Sequence, residues 1–422
     1  MPKRPVPYNC RGTIALALAL AAFTSSPVCA QQTTYSWEQL KQRFIAANPT
    51  LQAGRLNVRE DRANEITAFL RPNPDLSIAS DQFNFHPLQP LASADQIADI
   101  SYLHERGHKR ELRRDVAQKA TAVATSQQTD LERTLLFNLR SAFVQLLQAK
   151  AVLANAKENL AYYDRELQIN RARLKAGDIA EVDEDRLELQ RIQFESDLET
   201  ALVNVRTAKI QVLTLLNDRT PIDQFDASGE FDFTDQIPGL EELRKIAVDT
   251  RPDLQAAVQS VEEAELAHRL AVANGTTDPT FGFDGGRNPP IYGYVGFSVS
   301  IPLRIFDKNQ GEKERTALDI TRNQHLLEAS RAQVFSDVDS AYEAINGTLG
   351  LLRPYKAHYL PMAVKVRDTV SYAYQRGGAT LLDFLDAQKS YRDVQLNYLN
   401  LIGSFLSSAG QLNMAVGREV LQ

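Results

Sequence analysis

The chain of 422 residues is 43% hydrophobic and 24% charged, with 47 basic against 53 acidic residues and a formal net charge of −6. That balance excludes a disordered chain, and its acidic sign excludes a protein that reads nucleic-acid backbones through a basic face. No run of 18 or more apolar residues occurs, so no α-helix of the chain spans a bilayer, although transmembrane β-strands leave almost no trace in such arithmetic.

Residues 1–30 read as a signal peptide: Lys3, Arg4 and Arg11 form the positive flank and Ile14 to Phe23 the apolar core. Cleavage after Val28-Cys29-Ala30 removes Cys10 and Cys29, the only cysteines, and takes the formal charge from −6 to −9 with the loss of three cations. Cys29 offers an alternative as an acylated residue, but Pro27 and Val28 stand where such sites carry Gly, Ala or Ser. The mature chain is therefore expected to be exported, acidic and free of disulfides.

From there the sequence is one unit written twice. Asn48-Pro49-Thr50-Leu51-Gln52-Ala53 returns as Arg251-Pro252-Asp253-Leu254-Gln255-Ala256, and Gly177 and Asp183 return as Gly377 and Asp383. Leu139, Leu146, Leu153, Leu160, Leu167 and Leu174 recur every seven residues, and Val338, Ile345, Leu352, Tyr359, Val366 and Ala373 repeat the series 199 positions on. Such a repeat imposes left-handed supercoiling between long antiparallel helices. The first repeat is placed at 31–238, with long helices over 107–176 and 181–217; the second at 239–422, with long helices over 309–376 and 381–416. The turns at Gly177-Asp178 and Gly377-Gly378 permit the two hairpins.

A non-helical insert interrupts each repeat. Residues Ile291 to Ile301 alternate, with Ile291, Val295, Phe297, Val299 and Ile301 on one face and Tyr292, Tyr294, Ser298 and Ser300 on the other, as a membrane strand does. Strands are expected over 75–86, 96–104, 279–287 and 291–303. Four strands cannot close, and open edges are intolerable in lipid, so several chains must share one barrel; three would supply twelve strands. A soluble hairpin packed on helices is the alternative for the weaker first pair.

Together these segments resemble the outer-membrane efflux proteins, the TolC-like outer-membrane factors, over nearly the whole mature chain. Ser300 to Gly311 looks like the strand-to-helix turn of the heavy-metal-efflux branch. Glu105-Arg106-Gly107-His108-Lys109-Arg110 is similar to that branch's Glu-x-Gly-Lys-Arg turn, with His108 as an extra residue. Tyr374 to Gln388 resembles the family's periplasmic tip. The resemblance implies a mainly α fold with a small β part. It implies a homotrimer with a twelve-stranded barrel in outer-membrane lipid and a helical tunnel in the periplasm. It also implies a periplasmic adaptor and an inner-membrane pump, of RND type, as partners, with no cofactor, catalytic residue or resident metal. Asp383 and Asp386 would form a tunnel constriction whose like-charge crowding raises some carboxylate pKa values. Tyr374 and Asp183 would make a gate hydrogen bond, and Gly177, Asp178, Gly377, Gly378 and Thr380 would form the docking tips. The family's arginine two residues past the tip glycine is replaced by Ala379, which implies a closed state held by fewer bonds.

His104-Glu105-Arg106-Gly107-His108 also matches H-E-x-x-H, the zinc-hydrolase signature. Against it stand a strand-like approach, Gly107 where a helix should begin, and the cations Lys109, Arg110, Arg113 and Arg114; His268, His325 and His358 lie far downstream. The leading expectation is an export channel. A poreless periplasmic coiled-coil protein is the alternative, and a zinc hydrolase the remote one.

Overall fold

The structure, a computed structural model, describes residues 33–81, 94–288 and 291–421. The signal peptide at 1–30, with Cys10 and Cys29, and residues 82–86 of the first expected strand lie outside the described residues. The element order is β1 (Thr33–Tyr35), α1 (Trp37–Ala47), α2 (Pro49–Phe69), β2 (Asp75–Asp81), β3 (Asp95–Leu103), α3 (Lys109–Ala176), α4 (Glu181–Leu215) and β4 (Phe225–Ala227). It continues with α5 (Leu240–Thr250), α6 (Pro252–Asn274), β5 (Thr280–Asn288), β6 (Ile291–Ser300), α7 (Gln310–Pro354), α8 (Leu360–Gln375) and α9 (Leu381–Val416).

Local chemistry sets the short helices. Ser36 and Gln39 form a capping box at the start of α1, and the Asn48 side chain accepts from the Leu51 amide at 3.1 Å to start α2. Pro49 and Pro252 occupy the first position of α2 and α6, where a missing N–H breaks no bond.

The 68 residues of α3 rise roughly 100 Å, and no single core covers such a length. Its neighbours change along it instead. Near its start it meets α2, through Arg113 to the Ala68 carbonyl, and α6, through Ser126 to Gln259. Further down it meets α9, through Gln148 to Asn400, and α4, through the Tyr163 hydroxyl to the Leu187 carbonyl at 3.0 Å. Each level of α3 thus keeps a helix on both sides.

The belt where neighbours change holds two apolar cores. One joins Leu40, Phe44 and Leu51 to Leu139, Leu146, Val212 and Phe225. The other joins Leu243 and Leu254 to Val338, Ile345, Leu352, Phe405 and Leu412. The parallel pairing of β1 with β4 closes the first core, with Phe225 stacked on Tyr35 at 5.8 Å.

The second sheet has the order β2-β3-β5-β6 and is antiparallel throughout. β2 and β6 are its edges. β6 stops at Ser300, short of the expected 303, because Pro302 has no N–H to offer a ladder.

Two helix starts fall later than expected. Gly107 and His108 both have left-handed φ values, 70° and 56°, and Asn309 has 61°, so α3 and α7 begin just after them. The helix expected without a break over 309–376 is divided: a single π turn, Tyr355–Tyr359, separates α7 from α8. Pro354 and Pro361 flank it, and each removes an N–H that a continuous α-helix requires.

Candidate functional site

Across the four-stranded sheet the register sorts side chains by chemistry. Leu76, Ile100, Phe283 and Phe297 lie in one row, and Ile78, Ala98, Gly285 and Val295 in the next row on the same face. The intervening rows, on the opposite face, are Asp75, Ser101, Gly282 and Ser298, then Ser77, Asp99, Asp284 and Gly296. The apolar face is bare: Ile78 is 79% exposed, Val295 76% and Phe297 69%. An apolar patch of this extent is costly in water and favourable in hydrocarbon. No helix among the described residues is long and apolar enough to cross a membrane.

The opposite end is built by the two hairpins, α3–α4 and α8–α9. Both turns use the same device. Gly177 and Gly377 take φ values of 83° and 74°, and the residue after each donates to a carbonyl five positions back, Asp178 to Arg173 at 2.9 Å and Gly378 to Ala373 at 2.8 Å. Gly177, Asp178, Gly377, Gly378 and Thr380 are exposed at the hairpin ends.

The hairpins pack on each other through Tyr163, Leu167, Phe194, Tyr374 and Phe384, with Ala379 packed against them. Tyr163 stacks on Phe194 at 4.6 Å and Tyr374 on Phe384 at 5.0 Å. Burial raises the Tyr163 phenol pKa.

The hydrogen bond expected between Tyr374 and Asp183 is not formed. The Tyr374 hydroxyl is buried and has no hydrogen-bond partner among the described residues, while the Asp183 carboxylate lies 3.9 Å from Arg186. Burial raises the Tyr374 pKa, the Arg173 charge opposes this, and Asp183 reinforces it. The hairpins are tied by other groups. Arg173 donates to the Tyr374 carbonyl at 3.3 Å, with its guanidinium 5.1 Å from the ring; Gln375 reaches Glu166; and Tyr162 and Ser371 share a hydrogen bond at 3.1 Å. Sequence reasoning missed these residues. The available signal was the set of polar residues at buried positions along the heptads, Glu166, Asn170, Ser371 and Gln388.

Asp383 and Asp386 are both exposed on the first turns of α9, three apart and so on one side of the helix. Asp383 also closes a capping box, accepting from the Thr380 amide at 2.9 Å and hydroxyl at 2.7 Å, and those bonds lower its pKa. Within the chain this runs opposite to the rise expected from like-charge crowding, because hydrogen bonds favour the charged form.

The H-E-x-x-H segment does not form a zinc site. Its histidines flank a strand-to-helix turn rather than one helical face, and the Glu105 carboxylate is engaged by both terminal nitrogens of Arg113. No group of three or more His, Cys, Asp or Glu able to hold a metal occurs among the described residues. The neighbouring Lys109 ammonium is buried against Asp278 at 2.5 Å, and there the turn is anchored to the segment leading into β5.

Comparison with known proteins places these features. The family model for outer membrane efflux proteins matches residues 243–418. The cobalt-zinc-cadmium resistance protein CzcC of Cupriavidus metallidurans is 23% identical over 383 residues, covering 88% of this chain and 87% of that protein. The outer membrane protein TolC of Vibrio cholerae is 20% identical over 341 residues, covering 72% of each. In fold, the open-state MtrE outer membrane channel of Neisseria gonorrhoeae superposes with a TM-score of 0.76 at 17% identity, covering 99% of this chain and 98% of the other.

Proposed function

The chain belongs to the outer membrane efflux protein family, and from that premise we propose that three copies assemble into a passive export duct. The protein is an outer membrane efflux channel reaching into the periplasm, and its role is transport without chemical catalysis.

The observation that carries the trimer is the pair of open flanks. β2 and β6 are edge strands with bare apolar rows, and such edges must be paired in lipid. Pairing β6 of one copy with β2 of the next gives twelve strands from three chains.

The helices support the same closure. On α4, Leu187, Phe194, Ala201 and Ala208 are buried within the chain, whereas Val182, Leu189, Val203 and Ile210 are exposed at the same heptad spacing. The two seams lie five residues apart in phase, about 140–155° around the helix. A regular ring of twelve helices needs about 150° at each member, so α4 carries one seam for its own chain and one for a neighbour.

The two repeats, 31–238 and 239–422, each supply two strands and one hairpin to this duct. The hairpin ends at Gly177, Asp178, Gly377, Gly378 and Thr380 dock a periplasmic adaptor, and an inner-membrane pump of RND type supplies the energy. Asp383 and Asp386 from three chains ring the tunnel mouth with six carboxylates and attract cations. The likeness to CzcC favours heavy-metal cations as cargo.

The test uses the cysteine-free mature chain. Single cysteines placed in pairs along β2 and β6, at 77 with 296 or 298, are expected to cross-link copies into a three-rung ladder in outer membranes. Cross-linking that stops at dimers, or occurs only within one chain, overturns the assembly.

A further inference from the structure

A cleft of about 500 Å³ opens between α1, the middle of α3 and the C-terminal end of α9. Its walls are amphipathic. Leu136, Phe137 and Met414 are apolar, while Arg133, Arg140 and Arg418 are cationic. Arg133 is neutralised by Asp130 at 2.6 Å, and Lys41, on the rim, by Glu419 at 3.3 Å.

Arg140 differs. Its guanidinium lies 4.8 Å from the Trp37 ring centroid and 5.8 Å from that of Phe143, and among the described residues it has neither an ion pair nor a hydrogen bond. Burial lowers its pKa, and only the more distant charges of Glu419 and Glu38 oppose this. Arg418, on the same cleft, also has no ion pair among the described residues. Half-buried and with no anion paired to it among the described residues, the Arg140 guanidinium keeps solvent access at the cleft.

We propose that this cleft binds a ligand carrying a carboxylate on a short apolar body, with the carboxylate clamped by Arg140 and the body lying along Trp37 and Phe137. The chemistry favours this class. The planar guanidinium fork matches two carboxylate oxygens, and stacking on Trp37 holds that fork in place while leaving its edge free for hydrogen bonds. The apolar walls then take a body of a few carbons. The cleft lies on the α3–α9 seam and is lined by one chain alone, apart from the exposed seam of α4 and the sheet edges. The inference does not depend on the conduction of cargo.

Trp37 is the single tryptophan of the protein, so its emission reports on this cleft and on the adjoining cavity that Trp37 and Arg140 also line. The full-length protein in detergent is titrated with hexanoate and, separately, with acetyl-alanyl-leucine as a free acid, each against its neutral amide. Saturable emission changes are expected with an acid and at least about tenfold weaker ones with its amide, since a charge-assisted bond is lost. The acid that binds more tightly distinguishes a free small carboxylate from a peptide C-terminus. Arg140→Gln is expected to weaken binding at least about tenfold. Should that variant fail to fold, Arg140→Lys keeps the charge, loses the fork and is expected to bind at least about threefold more weakly. Absence of saturation by either acid up to about 10 mM, equal response to acid and amide, or unchanged affinity in the Arg140 variant overturns the proposal.

Discussion

The side-chain amide of Gln375 sits 3.1 Å and 3.3 Å from the two carboxylate oxygens of Glu166, joining hairpins whose residues are 209 positions apart in the chain. With the Arg173 bond to the Tyr374 carbonyl, it ties the end of α8 to α3. If the proposed tunnel is shut by these ties, the double variant Glu166→Ala, Arg173→Ala raises the conductance of the purified protein in planar bilayers. Tyr374→Phe leaves it unchanged, because the hydroxyl it removes has no hydrogen-bond partner among the described residues. The reverse pattern assigns the latch to the hydroxyl instead.

Acid should loosen the belt around Arg251. This buried guanidinium holds Asp253 at 2.6 Å, Asp337 at 2.8 Å and the Ala415 carbonyl at 3.1 Å. Burial pushes the Asp253 pKa up, but the Arg251 bonds and charge outweigh it and the net shift is downward. A depressed carboxylate contributes stability above its unfolded pKa of about 3.9 and loses it as pH falls through the folded value. Thermal melts between about pH 5 and pH 3 should therefore fall more steeply for wild type than for Asp253→Asn. Arg251→Ala, which leaves Asp253 with only Arg133 at 3.7 Å and Asp337 with only the Gln333 amide, is expected to cost about 2–4 kcal/mol at neutral pH. Parallel melting curves for wild type and Asp253→Asn would sink the assignment.

The two sheet faces predict opposite tolerance to charge. Phe297→Lys puts an ammonium in the apolar row and should cost about 2–4 kcal/mol near the bilayer midplane. Ser77→Lys places the same charge in the polar row containing Asp99 and should be accommodated. Recovery of heat-modifiable protein from outer membranes measures both, and equal recovery would contradict the facial assignment.

One difference between the tips is open to repair. Thr380 caps α9 with Asp383 in the box, while the matching position of α4 is Ala180, in nearly the same backbone conformation, with Asp183 three residues on. Ala180→Thr should supply the missing hydroxyl and stabilise the α4 start by about 1 kcal/mol. A melting temperature equal to or below wild type refutes it.

Much of this architecture could be read from local pattern. The heptads of α3 and α9 and the alternation of β6 are short-range periodicities, and Gly177 and Gly377 sit where only glycine adopts the turn without strain. What escaped depends on distant partners. The register that lines Phe283 up with Phe297 and Ile100, and the pairing of β1 with β4, are set by residues far apart in sequence. The partners of Arg173 and Glu166 lie about 200 residues on, in the second hairpin, where no local pattern points to them. The π turn had a local signal in Pro354 and Pro361, but the sequence heptad of Leu352, Tyr359 and Val366 concealed it; the turn shifts the seam, so Leu352 is buried while Tyr359 and Val366 are exposed and Tyr374 is buried instead.

That break gives the two hairpins different mechanics. α3 descends to its tip as one uninterrupted rod, whereas α8 hangs below a widened turn whose backbone bonds two prolines have thinned. The 16 residues of α8 make an arm of about 24 Å. Rotating such an arm by about 10° sweeps its end sideways by about 4 Å, more than the length of a hydrogen bond. A rotation of that size at Tyr355–Tyr359 would carry Gln375 out of reach of Glu166, whereas α3, unbroken over its 68 residues, contains no such turn.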